Sequence, residues 1–315
     1  MGDFFIATAC IYSPAYAKVP YSGVDYNKYA KLKGTMIMDR VINQHQIESY
    51  RLHLIAEEKS TATMEKYLRD VLHFQAFAGG ETISREVVMA YKNQLTSNKY
   101  KPRSINSMLA ALFSFLDFMG WQDAKVKTLK IQREVYTPVE KELSKTDYMR
   151  LLGAAKNNPR ISLIMETIAS TGIRVSELQN FTVEAISAGE VCVTCKGKNR
   201  KVLLTSKLRK KLLCYAKEQN ILTGVLFQDK YGNPMHRSRI WLQMKQLCSA
   251  AGVAGTKVFP HNLRKLFARV FYGIEKDIAK LADILGHSSV DTTRIYIMTT
   301  GTEHLRHMER MHLVT

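Results

Sequence analysis

Six side chains in the second half of the sequence have the types needed to handle an anionic ester. His261 and Arg264 lie three residues apart in His261-Asn262-Leu263-Arg264, a second imidazole follows in Leu285-Gly286-His287, and Tyr296 comes nine residues later in Thr292-Thr293-Arg294-Ile295-Tyr296. Residues three apart share a helix face, so His261 and Arg264 can point into one pocket. Ser288 and Ser289 can stop one helix and start the next, with Tyr296 on the short segment beyond. A second guanidinium stands upstream, where Thr171-Gly172 breaks one helix and Arg174 opens the next at Val175-Ser176-Glu177-Leu178. Lys196 occupies Cys195-Lys196-Gly197-Lys198, a turn between two strand-like runs.

A phenol with an ordinary pKa near about 10 is a poor nucleophile at neutral pH. It becomes useful when cations surround the ester it attacks and a base takes its proton. Guanidinium groups suit phosphoryl oxygens because their fork binds two at once. A mobile lysine can protonate the leaving alkoxide. Each residue also has a bland reading. Arg174 could pair with Glu177 on a helix surface, Lys196 could be one more cation in a basic run, the histidines could be satisfied core groups, and Tyr296 is one of fifteen tyrosines. The bland readings leave the shared order and spacing unexplained.

That order resembles the tyrosine recombinases, the family of phage integrases and Xer-type recombinases. The family's Thr-Gly-x-Arg-x-Ser-Glu-Leu box is matched by residues 171–178, its hairpin lysine by Lys196, its His-x-Leu-Arg box by residues 261–264, its Leu-Gly-His box by 285–287 and its nucleophile by Tyr296. Many members carry a second histidine after that box's arginine, where this chain has Lys265. The resemblance implies a site-specific DNA recombinase that cleaves and rejoins DNA through a 3′-phosphotyrosyl link, without metal ion, ATP or other cofactor. Arg174, Lys196, His261, Arg264, His287 and Tyr296 would be its catalytic residues, double-stranded DNA its partner, and a homo-tetramer of two synapsed dimers its working form, with room for accessory DNA-bending or directionality proteins. A type IB topoisomerase-like activity, or a DNA-binding protein without activity on the same fold, remain as alternatives.

Charge agrees with a polyanionic partner. Residues 143–315 hold 27 Lys and Arg against 13 Asp and Glu, most of a net charge of +18, whereas residues 41–123 are balanced at nine of each. Counterion release rewards many phosphate contacts together, so this asymmetry favours nucleic acid over a small phosphate ester. Residues 196–211 contain eight cations and no acid, and Lys198 and Arg200 are candidate DNA contacts within that run. Five scattered cysteines fit a reducing cytoplasm better than a disulfide framework. Cys192 and Cys195 have metal-like spacing but would face opposite sides of a strand, so no metal site is expected. No segment has the length and purity of a membrane helix, and a cytoplasmic, nucleoid-associated protein is expected.

The elements that must position these groups read as mainly α with a small antiparallel β-sheet. Residues 1–40 have little apolar period and are expected to be an unstructured extension or to precede the natural start at Met36 or Met38. Residues 41–123 read as four helices, at 44–57, from Ser60 or Thr61 to Gly79-Gly80, at 82–97, and from Pro102 to Gly120. By resemblance they form the family's helical, SAM-like core-binding domain, which grips one face of the DNA. Lys99, Lys101, Arg103 and Ser104, around a helix start, are its candidate phosphate contacts. Residues 124–143 look like a linker. Residues 144–315 form the mixed α+β catalytic domain. It starts with a Ser144/Asp147 capping box, has strand-like runs at 183–186, 190–195 and 201–204, and has helices at 161–169, 175–181, 207–219 and 237–251. Helices around His261, at 278–284 and at 302–312 complete it. His304, His307 and His312 lie in the last helix with nothing to complete a metal set. Its apolar side at Leu305, Met308, Met311 and Leu313 is expected, by resemblance, to dock on a neighbouring protomer.

Overall fold

The computed structural model describes residues 40–132, 139–195, 198–298 and 301–311 of the chain. The expected N-terminal extension, apart from Arg40, lies outside them. Two compact units divide between Gln132 and Arg133.

Among its described residues the first unit has four α-helices, and their ends follow local capping chemistry. A capping box between Asn43 and Gln46 opens α1 (Gln44–Ala56), and Ser60 accepts from the Thr63 amide to start α2 (Thr61–Ala78), which Gly79 closes in the left-handed region. α3 (Arg85–Ser97) starts three residues later than expected, because Ser84 is the cap and Ile83 instead bonds the Arg40 carbonyl in an extended segment. α4 (Pro102–Met119) has proline at its start and Gly120 past its end. Tyr50, Leu54, Phe74, Tyr91, Leu109 and Phe115 are buried among these helices, with Tyr50 edge-on to Phe115 at 5.2 Å. Burial of such rings is the main stabilising term of so small a core.

The expected linker is shorter than its composition suggested. Ala124 and Val126 are buried in the first core and Leu129 packs against it. Asn106 clamps this stretch, its side-chain amide donating to the Leu129 carbonyl and accepting from the Leu129 amide, both at 2.8 Å. At the other end Leu143 is buried in the second core.

The second unit begins with the Ser144/Asp147 capping box and α5 (Lys145–Ala154). α6 (Pro159–Thr171) ends at Gly172, φ +66°, and a 3-10 turn at Val175–Asn180 follows where a helix was expected. The run at 183–186 is α7 (Val183–Ala188), not a strand: the Thr182 side chain caps it and Gly189 closes it. β1 (Glu190–Cys195) and β2 (Lys198–Leu203) pair antiparallel, Glu190 opposite Leu203 through Cys195 opposite Lys198. α8 (Ser206–Glu218) is followed by α9 (Arg237–Gln246) and a short α10 (Cys248–Ala251), which divide the one helix expected there. α11 (Pro260–Glu275) packs against α6, and α12 (Ile278–Leu285), α13 (Val290–Ile297) and α14 (Gly301–Glu309) complete the unit.

The Asn106 clamp gives a prediction. Asn106→Ala removes both bonds, each worth about 1 kcal/mol, so hydrogen exchange at the Leu129 amide should quicken roughly tenfold or more while α2 keeps its protection. Unchanged exchange at Leu129 would refute the clamp.

Candidate active site

Side chains from β2, the start of α11 and the residue before the 3-10 turn meet at the C-terminus of α12. The last carbonyls of a helix have no partner within it. Here the amides of Gly286 and His287 turn back onto Asp283 and Ala282, which leaves the carbonyls of Ile284, Leu285 and Gly286. Each takes an arginine. Arg200 donates to Ile284 at 2.8 Å, Arg264 to Leu285 at 2.7 Å and Arg174 to Gly286 at 3.3 Å. The negative end of the helix dipole and these carbonyls together offset the mutual repulsion of the guanidinium groups.

Arg264 is 1% exposed. It projects from the first turns of α11 and also donates to the Gly172 carbonyl at 2.6 Å and to His287 Nε2 at 2.9 Å. The sharp turn that brings Gly172 there requires glycine: φ is positive and an added Cβ would stand 2.4 Å from the Phe267 ring. Arg264 Nε is buried with no hydrogen-bond partner among the described residues. Burial first and then the Arg174 charge push its pKa down to about 10, which leaves it cationic at neutral pH.

Arg174 sits before the 3-10 turn and is more open. Its Nη1 donates to Glu177 Oε1 at 3.0 Å and its backbone amide to Oε2 at 2.8 Å. The expected Arg174–Glu177 pair therefore exists, but its carboxylate is buried.

Tyr296 is 9% exposed, on α13. Its ring is edge-on to both imidazoles, with centroids 5.0 Å from His261 and 4.8 Å from His287, and the Arg264 guanidinium carbon lies 5.8 Å from its centroid. Arg174, Arg264, His261, His287 and Tyr296 are thus one cluster. Lys196 lies outside the described residues, which resume at Lys198, the partner of Cys195 in the β1–β2 pair.

The tautomer of His287 follows from its partners. A guanidinium cannot accept, so Nε2 is the acceptor of the Arg264 bond and a neutral ring carries its proton on Nδ1, which donates to Thr293 Oγ1 at 2.8 Å. Thr293 is fully buried and one turn before Tyr296 on α13, so it ties the imidazole to the helix that carries the phenol. Burial, followed by the charges of Arg264, Arg174 and Arg200, pushes the His287 pKa down to about 4. His261 keeps an outer edge open to solvent, yet desolvation of its inner edge and the charges of Lys265, Arg264 and Arg174 push it down to about 4 as well. Both rings are neutral at pH 7.

Of the expected DNA contacts, Lys99, Lys101, Arg103 and Ser104 are exposed around the start of α4 in the first unit. The Lys198 side chain lies outside the described residues. Arg200 differs from expectation: its side chain is only 13% exposed and is bound to Glu177. Thr293 has no role in the sequence motifs, and Glu177 enters them only as a box residue and a possible surface partner of Arg174. The signal available for Thr293 was its place three residues before Tyr296.

Comparison with known proteins agrees with the geometry. The phage integrase family matches residues 141–302, and its N-terminal SAM-like domain matches residues 47–123. Tyrosine recombinase XerD of Pseudomonas aeruginosa is 30% identical over 276 residues, covering 80% of this chain and 92% of that protein. Tyrosine recombinase XerA of Pyrococcus horikoshii is 26% identical over 275 residues, covering 85% and 93%. Among solved structures, a lambda integrase tetramer bound to a Holliday junction shares the fold at TM-score 0.66 and 18% identity, covering 85% of this chain and 80% of that one. With both units matched in order and relatives covered almost end to end, the chain belongs to the phage integrase family, as a tyrosine recombinase.

Proposed function

We propose that the chain cleaves and rejoins DNA at specific sites through a 3′-phosphotyrosyl intermediate. The observation that carries this reading is one phenol held against two neutral imidazoles beside a buried guanidinium. Tyr296 attacks the scissile phosphate and His261 takes its proton. Arg174 and Arg264 bind the non-bridging oxygens, and Lys196 protonates the departing 5′ oxygen. The ester bond between protein and DNA conserves the phosphodiester energy, so the cycle needs neither ATP nor a metal ion. A 5′-hydroxyl of the partner strand then attacks the phosphotyrosine and completes strand exchange.

His287 has a second step in this scheme. It now accepts from Arg264 and so cannot donate to a phosphate through Nε2. An arriving phosphate draws the Arg264 N–H toward itself and, as an adjacent anion, raises the imidazole pKa. His287 then takes a proton from solvent on Nε2 and becomes a donor to the forming phosphorane, with Thr293 holding the opposite edge.

Relatives described as tyrosine recombinases, and solved neighbours described as a lambda integrase tetramer on a Holliday junction and as XerH bound to difH substrate, support double-stranded DNA as the partner and a homo-tetramer as the working assembly. The helical unit supplies a further grip on DNA through Lys99, Lys101, Arg103 and Ser104. Leu305, Met308 and Met311 are 60%, 53% and 58% exposed on or just past α14, which suits docking of this helix on a neighbouring protomer. Accessory DNA-bending or directionality proteins and a cytoplasmic, nucleoid-associated location belong to the same reading.

The direct test uses a duplex selected from a random pool for binding to the full chain, then nicked beside the candidate phosphate to trap the intermediate. Wild type should form a covalent protein–DNA adduct and Tyr296→Phe none; adduct from the variant, or none from wild type, defeats the mechanism. Strand exchange between two such duplexes, beyond relaxation of supercoils, separates recombination from a topoisomerase-like activity. Thr293→Val should slow adduct formation roughly tenfold to a hundredfold with DNA affinity kept, because His287 is then loosely aimed. Equal rates would remove Thr293 from the scheme. The base form of His261 persists until pH falls through its depressed pKa of about 4, so the acid limb of kcat/KM for cleavage, which reports the free protein, should lie well below 6.5. A limb at 6.5 or above would exclude His261 as a base held neutral by this site.

A further inference from the structure

Arg200 lies in a run of cations on β2, yet its guanidinium turns away from solvent. Its Nη2 donates to Glu177 Oε2 at 2.7 Å and its Nη1 to the Ile284 carbonyl at 2.8 Å. Its Cδ and Nε fill the space beside Gly286, where an added Cβ would stand 2.8 and 2.9 Å from them. Glu177 is 3% exposed and is the carboxylate that also holds Arg174, by side chain and by backbone amide. One buried anion is therefore shared by two guanidinium groups, and the Arg174 backbone amide is its third donor.

We propose that Arg200 is a positioning residue for strand cleavage: through Glu177 it fixes the direction of the Arg174 guanidinium, and through Ile284 it ties β2 to the helix end on which Arg174 and Arg264 are docked. The inference rests on the cleavage reading above. The two acceptors lie on different elements, which a planar fork spans and a single ammonium does not. Arg200 also adds to the positive field that keeps His287 neutral in the free protein. Its role is thus distinct from that of the exposed cations around it, which suit direct phosphate contact.

The test compares the full-length wild type with Arg200→Met, Arg200→Lys, Glu177→Gln and the double variant Arg200→Met/Glu177→Gln on the selected, nicked duplex. Arg200→Met should form adduct roughly tenfold to a hundredfold more slowly at saturating protein, and Arg200→Lys should recover only part of the rate. Duplex affinity and its dependence on salt should stay at the wild-type values. The double variant should be no slower than Glu177→Gln alone, because the two act through one carboxylate. A wild-type adduct rate in both Arg200 variants overturns the inference. So does a log–log salt slope lowered by about 0.9, the mark of one lost phosphate contact, or a double variant whose losses multiply. If Arg200→Met does not fold, Arg200→Lys decides alone by the same rate and salt readings. Absence of adduct from wild type overturns the cleavage reading, and the inference with it. Adduct from wild type together with unaffected Arg200 variants overturns the inference only.

Discussion

Three guanidinium groups cannot share a pocket without something to hold them, and in this molecule that something is the end of one helix. Gly286 turns the chain at the end of α12, the Gly286 and His287 amides cover two of the open carbonyls, and Ile284, Leu285 and Gly286 are left to Arg200, Arg264 and Arg174. Backbone acceptors that would be costly if buried and unpaired thereby become the anchor of the positive charge. A buried carboxylate beside them, Glu177, is divided between Arg174 and Arg200. The result is a preorganised cationic surface, whose arrangement is settled by folding before any anion arrives.

The same arrangement sets the protonation states around the phenol. Burial first, and then the neighbouring cations, favours the neutral imidazoles, and both rings next to Tyr296 are held near a pKa of 4. A neutral imidazole can accept a proton from a phenol, whereas an imidazolium cannot. Thr293 adds mechanical coupling, since it bonds His287 from the helix that carries Tyr296. Movement of α13 would therefore shift Tyr296 and one imidazole together.

Much of this was legible because it is local. Capping residues such as Ser60, Ser144 and Pro102, with Gly79 and Gly120, mark helix ends within a few residues, and helical spacing put His261 and Arg264 on one face. What escaped depends on distant partners. A short apolar run at 183–186 has no period that separates strand from helix; Thr182 and Gly189 decide it by closing both ends of α7. Val126 and Leu129 stand among lysines without a pattern, and only Asn106, from α4, shows why they pack. An arginine in a basic run reads the same whether it faces solvent or a buried carboxylate, so the sequence does not separate Arg200 from the exposed cations around it. Lys196 and the residues beyond 311 lie outside the described residues.

The central claim is that Arg174, Arg264, the imidazoles and Tyr296 converge on a single phosphate. A crystal structure of the full chain with a nicked cognate duplex and orthovanadate would test it most directly. The account predicts a five-coordinate vanadium bonded to Tyr296 Oη, with both guanidinium groups and His287 on its equatorial oxygens. Vanadium bound elsewhere, or bonded to Tyr296 while Arg264 contacts only the Gly172 and Leu285 carbonyls, would contradict it.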